Sequence, residues 1–264
     1  MLHQVRPGDT LYSLAIRYNS NVEQIVRGNG LYPPFTENFL IYPGQQLVIP
    51  VRDSGRSVTL YVVNPGETLT QAGNLFSASY ELIAGINDTI QNPDYLIANQ
   101  QIIIPAVVYE VREGSSLFGI SQEMGVPLDS ILRANRNRPA ISADLIYPGT
   151  LLIVPLPVSV NIAVFDPLPG TVISDGSLIT GIARAFEGTV LLEVTDSAGR
   201  VIAEEWFTTA ASGAPAYAPF LTTVNYDRIP AEEKGFLQVY TRSAKDNTVQ
   251  DLVSIPVRFK DENS

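Results

Sequence analysis

The sequence predicts a multidomain chain in which three small α+β units of βααβ order precede an all-β sandwich. Two observations predict it. A heptapeptide recurs as Val5-Arg6-Pro7-Gly8-Asp9-Thr10-Leu11, Val63-Asn64-Pro65-Gly66-Glu67-Thr68-Leu69 and Val111-Arg112-Glu113-Gly114-Ser115-Ser116-Leu117, and self-similarity of this kind marks tandem modules. Beyond residue 157, helical spacing gives way to short β-rich runs divided by turn residues.

The spacing behind each heptapeptide fixes the elements of a repeat. An asparagine follows the glycine by 21 positions in all three: Asn29 after Gly8, Asn87 after Gly66 and Asn135 after Gly114. Between them, apolar residues fall at helical intervals. In the third repeat Leu117, Ile120 and Met124 form one stripe, and Leu128, Ile131 and Leu132 a second. Two short helices are therefore expected per repeat, broken at Asn19-Ser20-Asn21, Ser77-Ala78-Ser79 and Gly125-Val126-Pro127. Asn21 and Ser79 suit N-caps and Pro127 a first helical turn. Each repeat closes on an apolar run ending in proline, at Pro50, Pro105 and Pro155, where a strand should stop.

These residues resemble the lysin motif (LysM) family, whose pattern is a strand, Gly-Asp-Thr-Leu, two helices, an asparagine, and Pro-Gly before the last strand. Repeat one, with Gly8-Asp9-Thr10-Leu11 and Tyr42-Pro43-Gly44-Gln45, matches best. Repeat two departs from the pattern. Asn99 stands where the others have Gly44 and Gly149, Ala72 replaces Leu14 and Ile120, and Gly73 lies inside a helix, where it costs roughly 1 kcal/mol. This repeat is expected to be the least stable.

From residue 158 onward, seven strands are expected: Ser159 to Phe165, Leu178 to Ala183, Val190 to Thr195, Val201 to Thr208, Phe220 to Asn225, Phe236 to Thr241 and Val249 to Phe259. That number of short strands in about 100 residues suggests a two-sheet sandwich. The stretches Asp166-Pro167-Leu168-Pro169-Gly170 and Gly181 to Gly188 resemble an immunoglobulin-like domain associated with bacterial spore-germination proteins. The expected boundaries are 1–51, 58–106 and 107–157 for the three LysM units and 158–264 for the immunoglobulin-like sandwich. The polar linker from Val51 to Ser57 suggests a mobile first module, whereas only Ala106 separates Pro105 from the third repeat's first strand.

Composition narrows the function. At 264 residues and 45% hydrophobic, the chain can bury several cores. A net charge of −10 opposes nucleic acid and anionic membrane surfaces. No window approaches the roughly 18 apolar residues of a membrane span. Cysteine is absent, so disulfides and thiolate nucleophiles are excluded, and His3 is the sole imidazole. No catalytic residue, metal site or cofactor is therefore expected. Glu187, Glu193, Glu204 and Glu205 are available as a glycosidase pair. Glu204 and Glu205, adjacent on a predicted strand, should point to opposite faces, as on an ordinary exposed surface. The lone Trp206 is expected in the sandwich core.

The LysM resemblance implies binding of peptidoglycan or a chitin-like N-acetylglucosamine polymer, without cleavage, in a shallow groove between two loops. Carried onto this sequence, the first loop is Gly8, Asp9, Thr10 and Leu11, with Gly66, Glu67, Thr68 and Leu69, and Gly114, Ser115, Ser116 and Leu117. The second contributes Ile41 and Tyr42, Ile97, and Ile146 and Tyr147. Glycine admits close backbone approach, hydroxyls supply hydrogen bonds, and aliphatic side chains meet the acetyl methyl. Asp9, Thr10 and their counterparts equally suit helix capping, the three asparagines suit structural bonds, and Tyr42 and Tyr147 suit core packing as well as sugar stacking. Alternatives are a scaffold whose sandwich recruits a protein partner, and an auxiliary module of a wall-remodelling hydrolase. The expected location is the cell wall or spore envelope. Met1-Leu2-His3-Gln4-Val5 shows no leader, which leaves open mother-cell synthesis or a trimmed precursor.

Overall fold

The computed structural model describes residues 1–36, 39–51, 58–142 and 144–259. The linker from Arg52 to Ser57 lies outside them. Two compact units emerge. One comprises Met1–Ser77, Thr89–Gln122 and Val126–Pro155; the other gathers Ala78–Asp88, Glu123–Gly125 and the chain from Leu156 onward.

Each repeat shows the expected strand, two helices and strand. The first consists of β1 (Leu2–Gln4), α1 (Leu11–Arg17), α2 (Val22–Gly28) and β2 (Gln46–Val48). The second has β3 (Thr59–Val62), α3 (Leu69–Phe76), α4 (Tyr80–Gly85) and β4 (Gln101–Ile104), and the third β5 (Ala106–Glu110), α5 (Leu117–Met124), α6 (Leu128–Ala134) and β6 (Leu151–Pro155). Capping sets the helix starts. Thr10 accepts from Ser13 N and Thr68 from Gln71 N, each closing a reciprocal box. Asn21 accepts from Glu23 N and Gln24 N, and Ser79 from Leu82 N. Pro127 stands one position earlier than expected, at the N-cap of α6 without a side-chain bond. Pro155 is the last residue of its strand, as expected, and pairs with Ala106 at the end of the β5/β6 ladder.

In the first unit, β1 and β2 pair antiparallel, as do β3 and β4, and the parallel step Leu2↔Tyr61 merges them into one sheet of order β2-β1-β3-β4. Strands β5 and β6 form a separate ladder. Leu14, Ile25, Leu31, Leu47 and Ile49 form the first repeat's core, joined by Val62 of the second. The mobile first module expected from the linker is therefore not what the fold shows. Arg6 donates through Nη1 to Asn99 Oδ1 and through Nη2 to Val63 O at 3.2 Å. Asn99 holds φ at 72°, the left-handed conformation that glycine supplies at Gly44 and Gly149, and its side chain doubles as an acceptor for the first repeat. Gln46 N donates to Asn137 O at 3.1 Å, and the Phe35 and Tyr147 rings lie 4.2 Å apart, which packs the first repeat on the third. Gly28 faces Leu151 so closely that a Cβ would meet its Cδ1 at 2.7 Å.

The second unit holds a two-sheet sandwich. Its strands are β7 (Ile162–Asp166), β8 (Val172–Ile173), β9 (Leu178–Ala183), β10 (Thr189–Asp196), β11 (Val201–Thr209), β12 (Ala218–Thr223), β13 (Lys234–Arg242) and β14 (Val249–Phe259). The five-stranded sheet runs β11-β10-β13-β14-β8 and the three-stranded one β12-β9-β7. Alternate residues Val190, Leu192, Val194, Leu237, Val239, Val253, Ile255 and Val257 enter the core. The sequence missed β8, whose two residues are too few to show a period. Trp206 packs only partly buried against this core and donates from Nε1 to Thr222 Oγ1 at 3.2 Å.

Glu204 and Glu205 do not alternate between faces. Leu192 pairs with Trp206 but Val194 with Ala203, so two β11 residues stand opposite Glu193 in a bulge. Both glutamates are exposed as a result. Helix α4 belongs to this unit: a Cβ on Gly85 would lie 2.2 Å from Tyr217 Cδ2, and the Tyr217 hydroxyl donates to Val160 O at 2.7 Å.

Candidate functional site

The repeated valine brings the two predicted loops together in every repeat. Val5 N donates to Gln45 O at 2.8 Å while Val5 O accepts from Gly44 N at 2.9 Å. Val63 makes the same pair with Gln100 and Asn99 at 2.9 and 3.0 Å, and Val111 with Thr150 and Gly149 at 2.9 and 2.8 Å. The first loop, which follows this valine, is thereby fixed beside the second. In the sequence these valines stand out only as part of the heptapeptide, because a backbone brace leaves no side-chain signature. Gln45 was also missed as a support: its Oε1 accepts from Tyr42 N at 2.9 Å, and Gln100 does the same for Ile97 N at 3.3 Å.

Glycine enables the first loop through its backbone angle. Gly8, Gly66 and Gly114 have φ of 88°, 76° and 76°, and a Cβ at any of them would meet nothing within 4 Å. The backbone there is open to solvent, as close approach by a ligand requires. Thr10, Thr68 and Ser116 are exposed. All three serve as helix caps, Ser116 accepting from Gly119 N at 3.0 Å.

The acidic residues take another role than expected. Asp9 caps no helix. Its carboxylate is 5% exposed, accepts from Arg6 N at 2.9 Å, meets His3 Nε2 at 2.8 Å and pairs with Arg17 at 3.1 Å. Burial would raise the Asp9 carboxyl, but these partners outweigh it and hold it below its ordinary value. Burial in turn lowers the His3 imidazole despite Asp9. In the second repeat Glu67 repeats the arrangement, accepting from Asn64 N at 2.9 Å and from the Tyr61 hydroxyl at 2.7 Å. Burial and Glu67 push the Tyr61 phenol up. The third repeat carries Ser115 at this position. The carboxylates therefore staple the turns from within, so the loops do not present them as ligand groups.

The remaining predicted residues divide into two sets. Tyr42 and Ile97 are 57% and 61% exposed, and Leu11, Ile41 and Ile146 are half-buried. Leu69 and Leu117, in contrast, are core residues at 1% and 3% exposure, so their side chains do not reach a ligand. Tyr147 is half-buried against Phe35 and is not free to stack on a sugar. The loops thus offer backbone groups, hydroxyls and patches of apolar surface with little charge, the composition that suits an uncharged, hydroxyl-rich ligand.

The asparagines are buried and structural. Asn29 Nδ2 donates to Ile25 O and Val48 O, both at 2.7 Å, while its Oδ1 accepts from Val48 N at 2.8 Å. Asn135 makes the matching set with Ile131 and Ile153. A side-chain amide thus continues the edge of each last strand and ties it to α2 or α6.

In the sandwich, the Tyr240 hydroxyl and Arg242 hold the Glu205 carboxyl below its ordinary value. A general acid needs the opposite shift. Among the described residues, no group of three or more His, Cys, Asp or Glu could hold a metal ion, and no helix is long and apolar enough to cross a membrane.

Comparison with known proteins agrees with this architecture. The LysM domain family matches residues 3–50, 61–105 and 109–155, and the immunoglobulin-like domain of bacterial spore germination matches 161–248. The putative sporulation-specific glycosylase YdhD of Bacillus subtilis is 35% identical over 106 residues, which is 40% of this chain and 22% of that protein. An Enterococcus faecalis autolysin is 23% identical over 57% of this chain and 23% of its own length. The N-acetylmuramoyl-L-alanine amidase sle1 of Staphylococcus epidermidis is 30% identical over 33% of this chain and 28% of its own. The crystal structure of the Bacillus cereus spore cortex-lytic enzyme SleL is similar at 30% identity with a TM-score of 0.29, covering 40% of this chain and 22% of that one. The chain spans about a quarter of the length of these relatives. It belongs to the LysM domain family, with an immunoglobulin-like domain of bacterial spore germination behind its three modules.

Proposed function

We propose that the chain binds the N-acetylglucosamine-containing glycan of peptidoglycan, or a chitin-like polymer, through its LysM loops and does not cleave it. The observation that carries this reading is the neutral loop pair, braced three times by Val5, Val63 and Val111, with the Asp9 and Glu67 carboxylates turned inward. Each shallow site alone is weak, and a repetitive polymer engages several at once, which raises avidity without new contacts. Binding of this kind holds the chain at the cell wall or spore envelope, a setting supported by relatives named a sporulation-specific glycosylase and an N-acetylmuramoyl-L-alanine amidase. The sandwich is the arm that recruits a protein partner, a role favoured by its exposed Phe207, Leu221 and Ile229.

Co-sedimentation of the full chain with insoluble peptidoglycan tests the reading. Retention should persist from low to about 0.5 M salt, because an uncharged contact is little screened, and no new reducing ends should appear in the supernatant. Release at moderate salt, or liberation of sugar fragments, would replace the proposal with charge-driven adhesion or with catalysis.

A further inference from the structure

The first repeat carries an apolar groove that the loop sites do not account for. Between α1 and α2 lies a cavity of about 900 Å³, walled by Tyr12, Ile16, Val22, Val26 and Phe39. Tyr12, Ile16 and Phe39 are 71%, 66% and 52% exposed. Such a cluster of large apolar side chains in water calls for an occupant. The size falls within the roughly 300–1,000 Å³ of small-molecule sites. Asn19, Ser20 and Asn21 line the end at the helix–helix turn.

We propose that this groove is a second sugar subsite, which holds further rings of the glycan chain whose adjacent part lies in the first repeat's loops; it rests on the function proposed above. Continuity identifies the occupant. Tyr12 directly follows Leu11 of the first loop, and Phe39 lies three residues before Tyr42 of the second, so a polymer leaving the loops meets this groove next. The chemistry agrees. The faces of pyranose rings are apolar and suit Tyr12, Ile16 and Phe39, while their rims of hydroxyl and N-acetyl groups suit the amides of Asn19 and Asn21. The groove is complete in one repeat only. At the positions of Tyr12 and Ile16 the second repeat has Thr70 and Asn74, and the third has Phe118 and Gln122. The first repeat is thereby assigned as the module that discriminates by chain length.

Calorimetric titration of the full chain with N-acetylglucosamine oligomers of two and of six units tests this. The unaltered chain should bind the six-unit oligomer more tightly than the two-unit one. The double substitution Tyr12→Ala and Ile16→Ala, at exposed positions outside the core, should weaken six-unit binding roughly tenfold and leave two-unit binding unchanged. Tyr12→Phe should retain the six-unit affinity. Unchanged six-unit affinity in the double variant, with two-unit binding intact, would overturn the subsite while sparing the loops. Failure of both lengths to bind the unaltered chain would defeat the loop reading itself, and this extension with it. Should sedimentation show the unaltered chain to be a dimer and the double variant a monomer, the groove's occupant is a second copy and the proposal is wrong.

Discussion

Nη2 of Arg138 lies 3.0 Å from Oδ1 of Asn29, so the third repeat reaches across 109 residues of sequence into the amide that closes the first. The same guanidinium donates through Nη1 to Asn135 Oδ1 at 2.7 Å. Among the described residues no carboxylate pairs with it, and burial lowers its pKa to about 9. The charge is held by the oxygen dipoles of Asn135, Asn29 and Gly28, at a desolvation cost, and its side chain fills the space between two repeats.

Volume should matter more than charge at this position. Asn29 and Asn135 already accept from Val48 N and Ile153 N, so they stay bonded when the guanidinium is removed. Arg138→Met should cost less than about 1.5 kcal/mol. Arg138→Ala opens a cavity and should cost about 2–4 kcal/mol. Urea unfolding of the full chain measures both. Equal losses in the two variants would show that the guanidinium bonds, and not packing, hold this junction.

Gly85 and Tyr217 form a steric pair inside the second unit. A Cβ at Gly85 would sit 2.4 Å from Tyr217 Cγ and 2.9 Å from its Cβ, atoms close to the backbone that cannot swing aside. Gly85→Ala should therefore destabilise by about 1–3 kcal/mol despite its better helix propensity. Tyr217→Ala in the same chain should cancel part of that loss. A double-mutant cycle checks the coupling, and strict additivity of the two substitutions would contradict the contact.

Acidification should weaken the first repeat. Burial lowers the His3 pKa from 6.5, so just below that value the unfolded chain binds a proton that the folded chain refuses, and stability falls with pH. The depressed Asp9 carboxyl adds stability above its unfolded value of 3.8, which is lost as pH falls through the lower folded value. Both slopes have the same sign. His3→Tyr copies the Tyr61 and Glu67 pair of the second repeat and should flatten the profile between about pH 5 and 7, leaving the acid limb. Scanning calorimetry across that range measures it. A variant as acid-sensitive as the unaltered chain would place the titrating group elsewhere.

What could be read from sequence followed from local periodicity. The helical stripe of Leu117, Ile120 and Met124, the caps at Asn21 and Ser79, and the strand alternation of Val190, Leu192 and Val194 all act within a few residues. The asparagines at constant spacing announced buried amides for a similar reason: each bonds back one turn, as Asn135 does to Ile131, and Asn29 and Asn135 then reach their strands. Features that depend on distant partners were not legible. Arg6 meeting Asn99, Gly28 facing Leu151 and Tyr147 leaning on Phe35 belong to contacts between repeats, for which a single repeat's pattern holds no code. The bulge at Glu204 and Glu205 defeated a strict two-residue period because one extra residue reverses the face. At the candidate site, the pattern located the loops but misplaced Leu69 and Leu117, which serve the core, and Asp9, which serves the turn.

The most direct test follows backbone amide shifts of the full chain during titration with a six-unit N-acetylglucosamine oligomer. The account predicts progressive, saturable shifts at Gly8 to Leu11 and at Ile41 and Tyr42, with weaker ones around Gly66 and Gly114, while the buried amides of Val48 and Ile153 stay in place. Shifts confined to the sandwich, or none at any of the three glycine loops, would contradict it.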